Sequence, residues 1–91
     1  MNVFQYEVLG GDTETTGLVY PRDKAFSVSL APPEGEPLFI DLRTEQHLIP
    51  AFQCDLDRYP GRIVFHNAAF DVRMLASAGI NVLVVKIILM K

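Results

Sequence analysis

The spacing of apolar residues changes character once along this chain, at Arg43, and that change limits the fold more than any other feature of the sequence. Before it, Phe26, Val28 and Leu30 alternate with Ser27 and Ser29 across Ala25 to Ala31, the period of a half-buried strand. Tyr6 to Glu14 reads as a strand entered through Val8 and Leu9 and closed by the polar turn Thr15-Thr16-Gly17. Pro37 to Leu42 reads as a third, set off by Pro32-Pro33-Glu34-Gly35, where two prolines and a glycine cannot continue a ladder. After Arg43, Phe52, Leu56 and Tyr59 recur at helical spacing, with Pro50 in the first turn where its missing N–H is harmless, so a helix is predicted from near Ile49 to Arg58. Pro60-Gly61 ends it. Arg62 to His66 carries the buried-strand run Ile63-Val64-Phe65. Asn67 then stands as an N-cap before a helix over Ala68 to Ala78, with Gly79 as its C-terminal cap. Ile80 to Met90, dense in Val and Ile, reads as a last strand. The expected fold is α/β with a mixed sheet, a three-stranded antiparallel meander followed by helix, strand, helix and strand.

With 91 residues there is room for one core. A net charge of −3 gives no electrostatic case for nucleic-acid binding and argues against a plain DNA-binding module, which is usually announced by an excess of Lys and Arg. It does not exclude a metal-dependent nuclease, whose carboxylates stay acidic until cations neutralise them. Cys54 is the single cysteine, so neither an internal disulfide nor a cysteine-based zinc site is available, and it reads as a small apolar filler. The first six residues lack the pattern of a secretory signal. The apolar run Ile80 to Met90 is broken by Lys86 and falls short of the about 20 residues a bilayer requires. A cytoplasmic protein without membrane contact is the expectation.

Two short segments carry chemistry. Asp12 and Glu14 lie two residues apart at the end of an apolar strand, so both carboxylates project from one face. Held that close they repel unless a cation sits between them, and oxygen-only ligation suits Mg²⁺ or Mn²⁺ better than zinc. Asp71 falls in the first turn of the second predicted helix, where the macrodipole favours an acid. Each segment alone is also what a solvated turn or a favourably charged helix start would show. Together they put three carboxylates at the ends of two strands that could be neighbours, as two-metal phosphodiester chemistry needs.

Asp12-Thr13-Glu14-Thr15-Thr16-Gly17-Leu18 resembles the first motif of DnaQ-like 3′→5′ exonucleases. His66-Asn67-Ala68-Ala69-Phe70-Asp71, with Leu75, resembles their second, and the 59-position spacing from Asp12 to Asp71 is also similar. The proofreading domain of family-A polymerases, especially phage ones, is the nearest likeness, over residues 5 to about 84. The resemblance implies an RNase H-like fold and two-metal hydrolysis at the 3′ end of single-stranded DNA, beside a DNA polymerase domain or chain in a bacterial or phage-infected cell. It implies that Asp12 bridges two Mg²⁺ or Mn²⁺ ions, that Glu14 holds the first and that Asp71 holds the second through water. It further implies that Leu18 wedges against the terminal base and that Thr15 and Asn67 touch the terminal nucleotide. Phe70 matches an aromatic beside the second-motif acid, with core packing as its other reading. His66 reads as a hydrogen-bonded structural histidine and His47 as solvated.

The resemblance stops short at one point. The family's third motif, a Tyr or His followed by the Asp that completes the first metal site, is absent, and the run Val84-Val85-Lys86-Ile87-Ile88-Leu89-Met90 stands where an Asp-Thr pair is usual. The expectation is the N-terminal part of an exonuclease domain in a shortened chain with an incomplete metal site. Two alternatives stay open: a catalytically inactive interaction module on the same fold, and an RNA-trimming relative, since the two motifs do not separate DNA from RNA.

Overall fold

The computed structural model describes residues 1–83 and 86–89. Its elements are β1 (Val8–Thr15), β2 (Ala25–Ala31), β3 (Leu38–Asp41), α1 (Ile49–Arg58), β4 (Arg62–Phe65), α2 (Ala68–Ser77) and β5 (Ile87–Leu89). Two 3₁₀ turns, Asn2–Gln5 and Gln46–Leu48, precede β1 and α1. The five strands form one sheet in the order β3-β2-β1-β4-β5. β2 and β3 continue antiparallel from β1 as a meander, whereas β4 and β5 run parallel to it on its other side. The chain is therefore a small α/β domain with a mixed sheet, and β1 is its centre.

Strand alternation sorts the residues of this sheet onto two faces. Leu9 of β1, Val28 and Leu30 of β2, Ile40 of β3, and Ile63 and Phe65 of β4 are buried on one face. α2 packs across the sheet there and adds Ala68, Met74 and Leu75, while α1 contributes Phe52 and Leu56 to the same core. Gly11 makes this packing possible: a Cβ at that position would stand 2.5 Å from Cε1 of Phe65 and 2.9 Å from Cγ2 of Ile63, so only a glycine lets the ring lie across the central strand. The 3₁₀ turn Asn2–Gln5 closes one end, where the Phe4 ring packs at a tilt against Phe52 and Tyr59 at centroid distances of 6.0 and 5.3 Å.

The other face carries Val8, Gly10, Asp12, Glu14, Ala31, Phe39 and Arg62, all exposed. The shortest extent of the molecule is 20 Å against 33 Å in the other two directions. That is about one sheet and one layer of helices, since a helix with its side chains is about 10–12 Å across. Among the described residues of β1 to β4, Ser27 alone is buried on the second face.

The tail departs from the sequence reading. The run Ile80 to Met90 was expected to be one strand; among its described residues Ile87–Leu89 pairs, in parallel with β4, and 80–83 do not, while positions 84, 85, 90 and 91 lie outside the described residues. Ile80 and Val82 are buried in irregular backbone. Their β-branched side chains serve the core without a ladder, because the chain must cross from the end of α2 to the far side of β4 before it can pair. Lys86 is likewise buried, its Nζ donating to the Tyr59 carbonyl just past α1 at 2.6 Å. No helix of the described chain is long and apolar enough to cross a membrane.

Candidate active site

The predicted acids lie on the C-terminal half of β1 and, on its other face, at the start of α2. Asp12 and Glu14 pair across the ladder with Ser29 and Ser27 of β2, share the open face and are exposed. Thr13, between them, points to the helix-covered face by the alternation of the strand. Its hydroxyl donates to Oδ1 of Asp71 at 2.8 Å. Asp71 lies in the first turn of α2, 7% exposed, and its backbone N–H donates to the Asn67 carbonyl at 2.9 Å. The parallel pairing of β1 with β4 is what delivers it, because α2 starts directly after β4 and so rises beside the C-terminal end of β1.

The structure thus brings Asp71 onto the residue that separates Asp12 from Glu14, from the core side of the strand. Among the described residues it does not gather three His, Cys, Asp or Glu side chains at metal-holding spacing. In kind, the donors fit a hard divalent cation: every ligand atom is a carboxylate oxygen, and Asp12 and Glu14 are open to solvent. One oxygen of Asp71 is occupied by Thr13 and the other makes no side-chain hydrogen bond among the described residues.

The remaining predicted residues lie along the rim of this region. Leu18 is 81% exposed at the β1–β2 loop. Thr15 donates its hydroxyl to the Gly17 carbonyl at 3.0 Å, tightening the turn that carries Leu18. Asn67 occupies the N-cap position of α2, yet its side chain makes no capping hydrogen bond and is exposed. Phe70 is half-buried and packs against the core. Three expectations are corrected. His66 is exposed and makes no hydrogen bond through its ring among the described residues, because the strand ends at Phe65 and releases it to solvent. Cys54 is exposed on α1 and fills no space, since the buried stripe of that helix runs through Phe52 and Leu56. Positions 80–83, the start of the predicted last strand, are irregular backbone.

Sequence reasoning passed over Asp23. Its carboxylate accepts from the Val19 backbone N–H at 2.9 Å and from the Thr16 hydroxyl and the Arg22 guanidinium at 3.2 Å each. These donors, the Val19 N–H first, hold the carboxyl below its ordinary value near 3.8, against the opposing effect of burial. A lone Asp in a loop has no sequence signature; the usable signal was the Leu18-Val19-Tyr20 triplet, too apolar for an unconstrained turn. A cavity of about 360 Å³ opens beside this loop, lined among others by Thr16, Lys24, Phe26 and Arg43. A cavity of about 510 Å³ at the opposite end of β1, between Tyr6, Val8, Pro60 and Arg62, is remote from the acids.

No protein-family model matches the sequence. The chain is 40% identical over 81 residues to the DNA polymerase DpoZ of Vibrio phage phiVC8, which covers 89% of this chain. It is 37% identical over 81 residues to DpoZ of Acinetobacter phage SH-Ab 15497 and 38% identical over 80 residues to DpoZ of Salmonella phage PMBT28. The chain is related to phage DNA polymerases. It spans only about 13% of the length of these polymerases, so their likeness to it is confined to one small α/β domain.

Proposed function

We propose that this chain is the N-terminal part of a 3′→5′ exonuclease domain of the DnaQ-like class with an RNase H-like fold, the proofreading companion of a phage DNA polymerase acting in the host cytoplasm. The observation that carries the reading is the delivery of Asp71, from the helix after β4, onto the strand that bears Asp12 and Glu14. Two supports stand beside it. The sheet is mixed, with an antiparallel meander on one side of β1 and parallel strands on the other, which is compatible with the RNase H-like reading. The relatives are phage DNA polymerases.

In this reading Asp12, Glu14 and Asp71 hold two Mg²⁺ or Mn²⁺ ions, which when bound would activate water and stabilise the leaving oxygen of a phosphodiester. Leu18 and Thr15 at the mouth of the loop, and Asn67 at the start of α2, orient the 3′-terminal nucleotide. Phe70 supports Asp71 from the core. The fourth carboxylate and the base of the third motif are not among the 91 residues, and a general base is commonly worth 10²- to 10⁴-fold. The chain by itself is therefore a weak catalyst in this proposal.

The test is Mn²⁺ binding, followed by the loss of the free-ion paramagnetic signal, with a 3′-end degradation assay on single-stranded DNA beside it. Weak binding abolished by Asp12→Ala and reduced by Asp71→Asn, with trimming near background, is the expected result. Binding that is indifferent to all three acids would remove the metal-site reading. A second reading, a catalytically inactive interaction module, draws on the absence of a gathered three-acid group among the described residues. Trimming of RNA in preference to DNA would instead favour an RNA-processing relative.

A further inference from the structure

The β1–β2 loop carries residues that the acid site does not use. Leu18, Val19 and Tyr20 are exposed there, and directly after them come two exposed cations, Arg22 and Lys24, in a chain whose net charge is −3. Between those cations Asp23 is turned inward and is 9% exposed. Besides the three hydrogen bonds that reach its carboxylate, its backbone N–H donates to the Val19 carbonyl at 2.7 Å. Thr16 closes the loop's base, its N–H donating to the Lys24 carbonyl at 3.0 Å and its hydroxyl accepting from the Lys24 N–H at 3.1 Å. Gly17 fits against the same carboxylate, since a Cβ there would lie 2.5 Å from Oδ2 of Asp23. The loop is thus tied internally through one acid while its apolar side chains face water. A turn free to rearrange would tuck such side chains away.

A preordered apolar and aromatic tip flanked by Arg and Lys matches one class of ligand. Single-stranded nucleic acid offers unstacked base faces for an aromatic platform and phosphates for the neighbouring cations, whereas a duplex hides its base faces. Ordering the loop in advance removes a cost that binding would otherwise carry. The cavity at the base of the loop is lined by Thr16 and Lys24 and further by Phe26 and Arg43.

We infer that the β1–β2 loop is a platform for single-stranded nucleic acid. Tyr20 stacks on a base next to the terminal one, Arg22 and Lys24 bind phosphates, and Asp23 is a positioning residue that holds the platform open. The inference rests on the exonuclease reading in one respect: the strand it holds is the one that would enter the acid site.

The experiment measures fluorescence anisotropy of end-labelled 15-mers of single-stranded DNA, single-stranded RNA and duplex DNA with the 91-residue chain in a chelator, so that strand binding is read without metal or cleavage. Single strands are expected to bind in preference to duplex. Tyr20→Ala should weaken binding about tenfold, within the roughly 5- to 150-fold range of base stacking on an aromatic, while Tyr20→Trp retains it. The double variant Arg22→Gln/Lys24→Gln should flatten the salt dependence by about 1.4 in log–log slope, at about 0.7 per phosphate contact. Asp23→Ala should weaken binding without touching the ligand and speed amide exchange at Val19, a signature that loss of a mere surface charge would not give. Binding by RNA alone would keep the platform and move its substrate to RNA. No single-strand binding by the wild type, preference for duplex, or equal binding by Tyr20→Ala would overturn the platform. Mn²⁺ binding measured on the same proteins separates the two ideas, because its indifference to Asp12, Glu14 and Asp71 sinks the exonuclease reading and leaves Tyr20-dependent strand binding untouched.

Discussion

One hydroxyl, that of Thr13, joins α2 to the central strand beside the acids, and its removal has a definite consequence. Thr13→Val keeps the shape of the side chain but leaves the buried Asp71 carboxylate short of a donor, which costs about 1–3 kcal/mol. The expected outcome is a lower midpoint of chemical denaturation at an unchanged slope, with Mn²⁺ affinity altered if Asp71 is a metal ligand. The placement of Asp12 and Glu14 on one strand face and of Asp71 in a helix's first turn was legible, because strand period and helix start can be read along the chain. The Thr13–Asp71 bond was not, since it depends on which face the helix covers, and periodicity within one strand does not say. Asp23 was hidden for a related reason: its partners are a backbone N–H and a hydroxyl seven positions away, which no spacing rule marks. Its carboxyl is held below its ordinary value, as is that of Asp41 beside Arg43, so both contribute to the acid response of the fold. A carboxyl depressed in the folded state stabilises above its unfolded value near 3.8, and that contribution is lost as pH falls through the lower folded value. Stability should therefore fall below about pH 4, with amide exchange in the 16–24 loop rising first, and Asp23→Asn should flatten the loop's response; an unchanged acid profile in that variant would show that other carboxylates set the limit.

At the level of elements, the predicted strands and helices matched the structure wherever side chains of one kind repeat at one period, as in β2 and α1. They failed where one residue serves two neighbours. Ile80 and Val82 have the composition of a strand and the job of plugging the core between α2 and β5. Lys86 read as a break in an apolar run, yet it is buried because its ammonium meets a carbonyl at the end of α1, where a cation is favoured. The turn Asn2–Gln5 went unread because Val3 and Phe4 show no period, only contacts. Gly11 is the sharpest case. As a glycine inside a strand it weakens the element, and only the structure shows that it yields its space to Phe65. Gly11→Ala should force that ring from its place and cost about 1–3 kcal/mol, as overpacked cores do. The loss should be recovered in large part by adding Phe65→Leu, which a double-mutant cycle in thermal melts will read as coupling.

Across the whole molecule, β1 is bonded on one side to a strand that follows within a short loop and on the other to one that begins 54 positions later in register, Val8 facing Arg62. The two seams of the central strand therefore differ in the entropy needed to close them. The meander can zip locally, but the β1–β4 seam must wait until more than half of the chain has been drawn in, and contacts distant in sequence slow folding. Assembly is expected to begin in the meander and to end with the arrival of β4 and α2. Stopped-flow measurements should then show Leu30→Ala slowing refolding, while Ile63→Val mainly hastens unfolding. The acid on α2 arrives with that last step, so the approach of Asp71 to β1 and completion of the fold share one kinetic event: a chain emerging from the ribosome carries Asp12 and Glu14 long before it can present Asp71 to them.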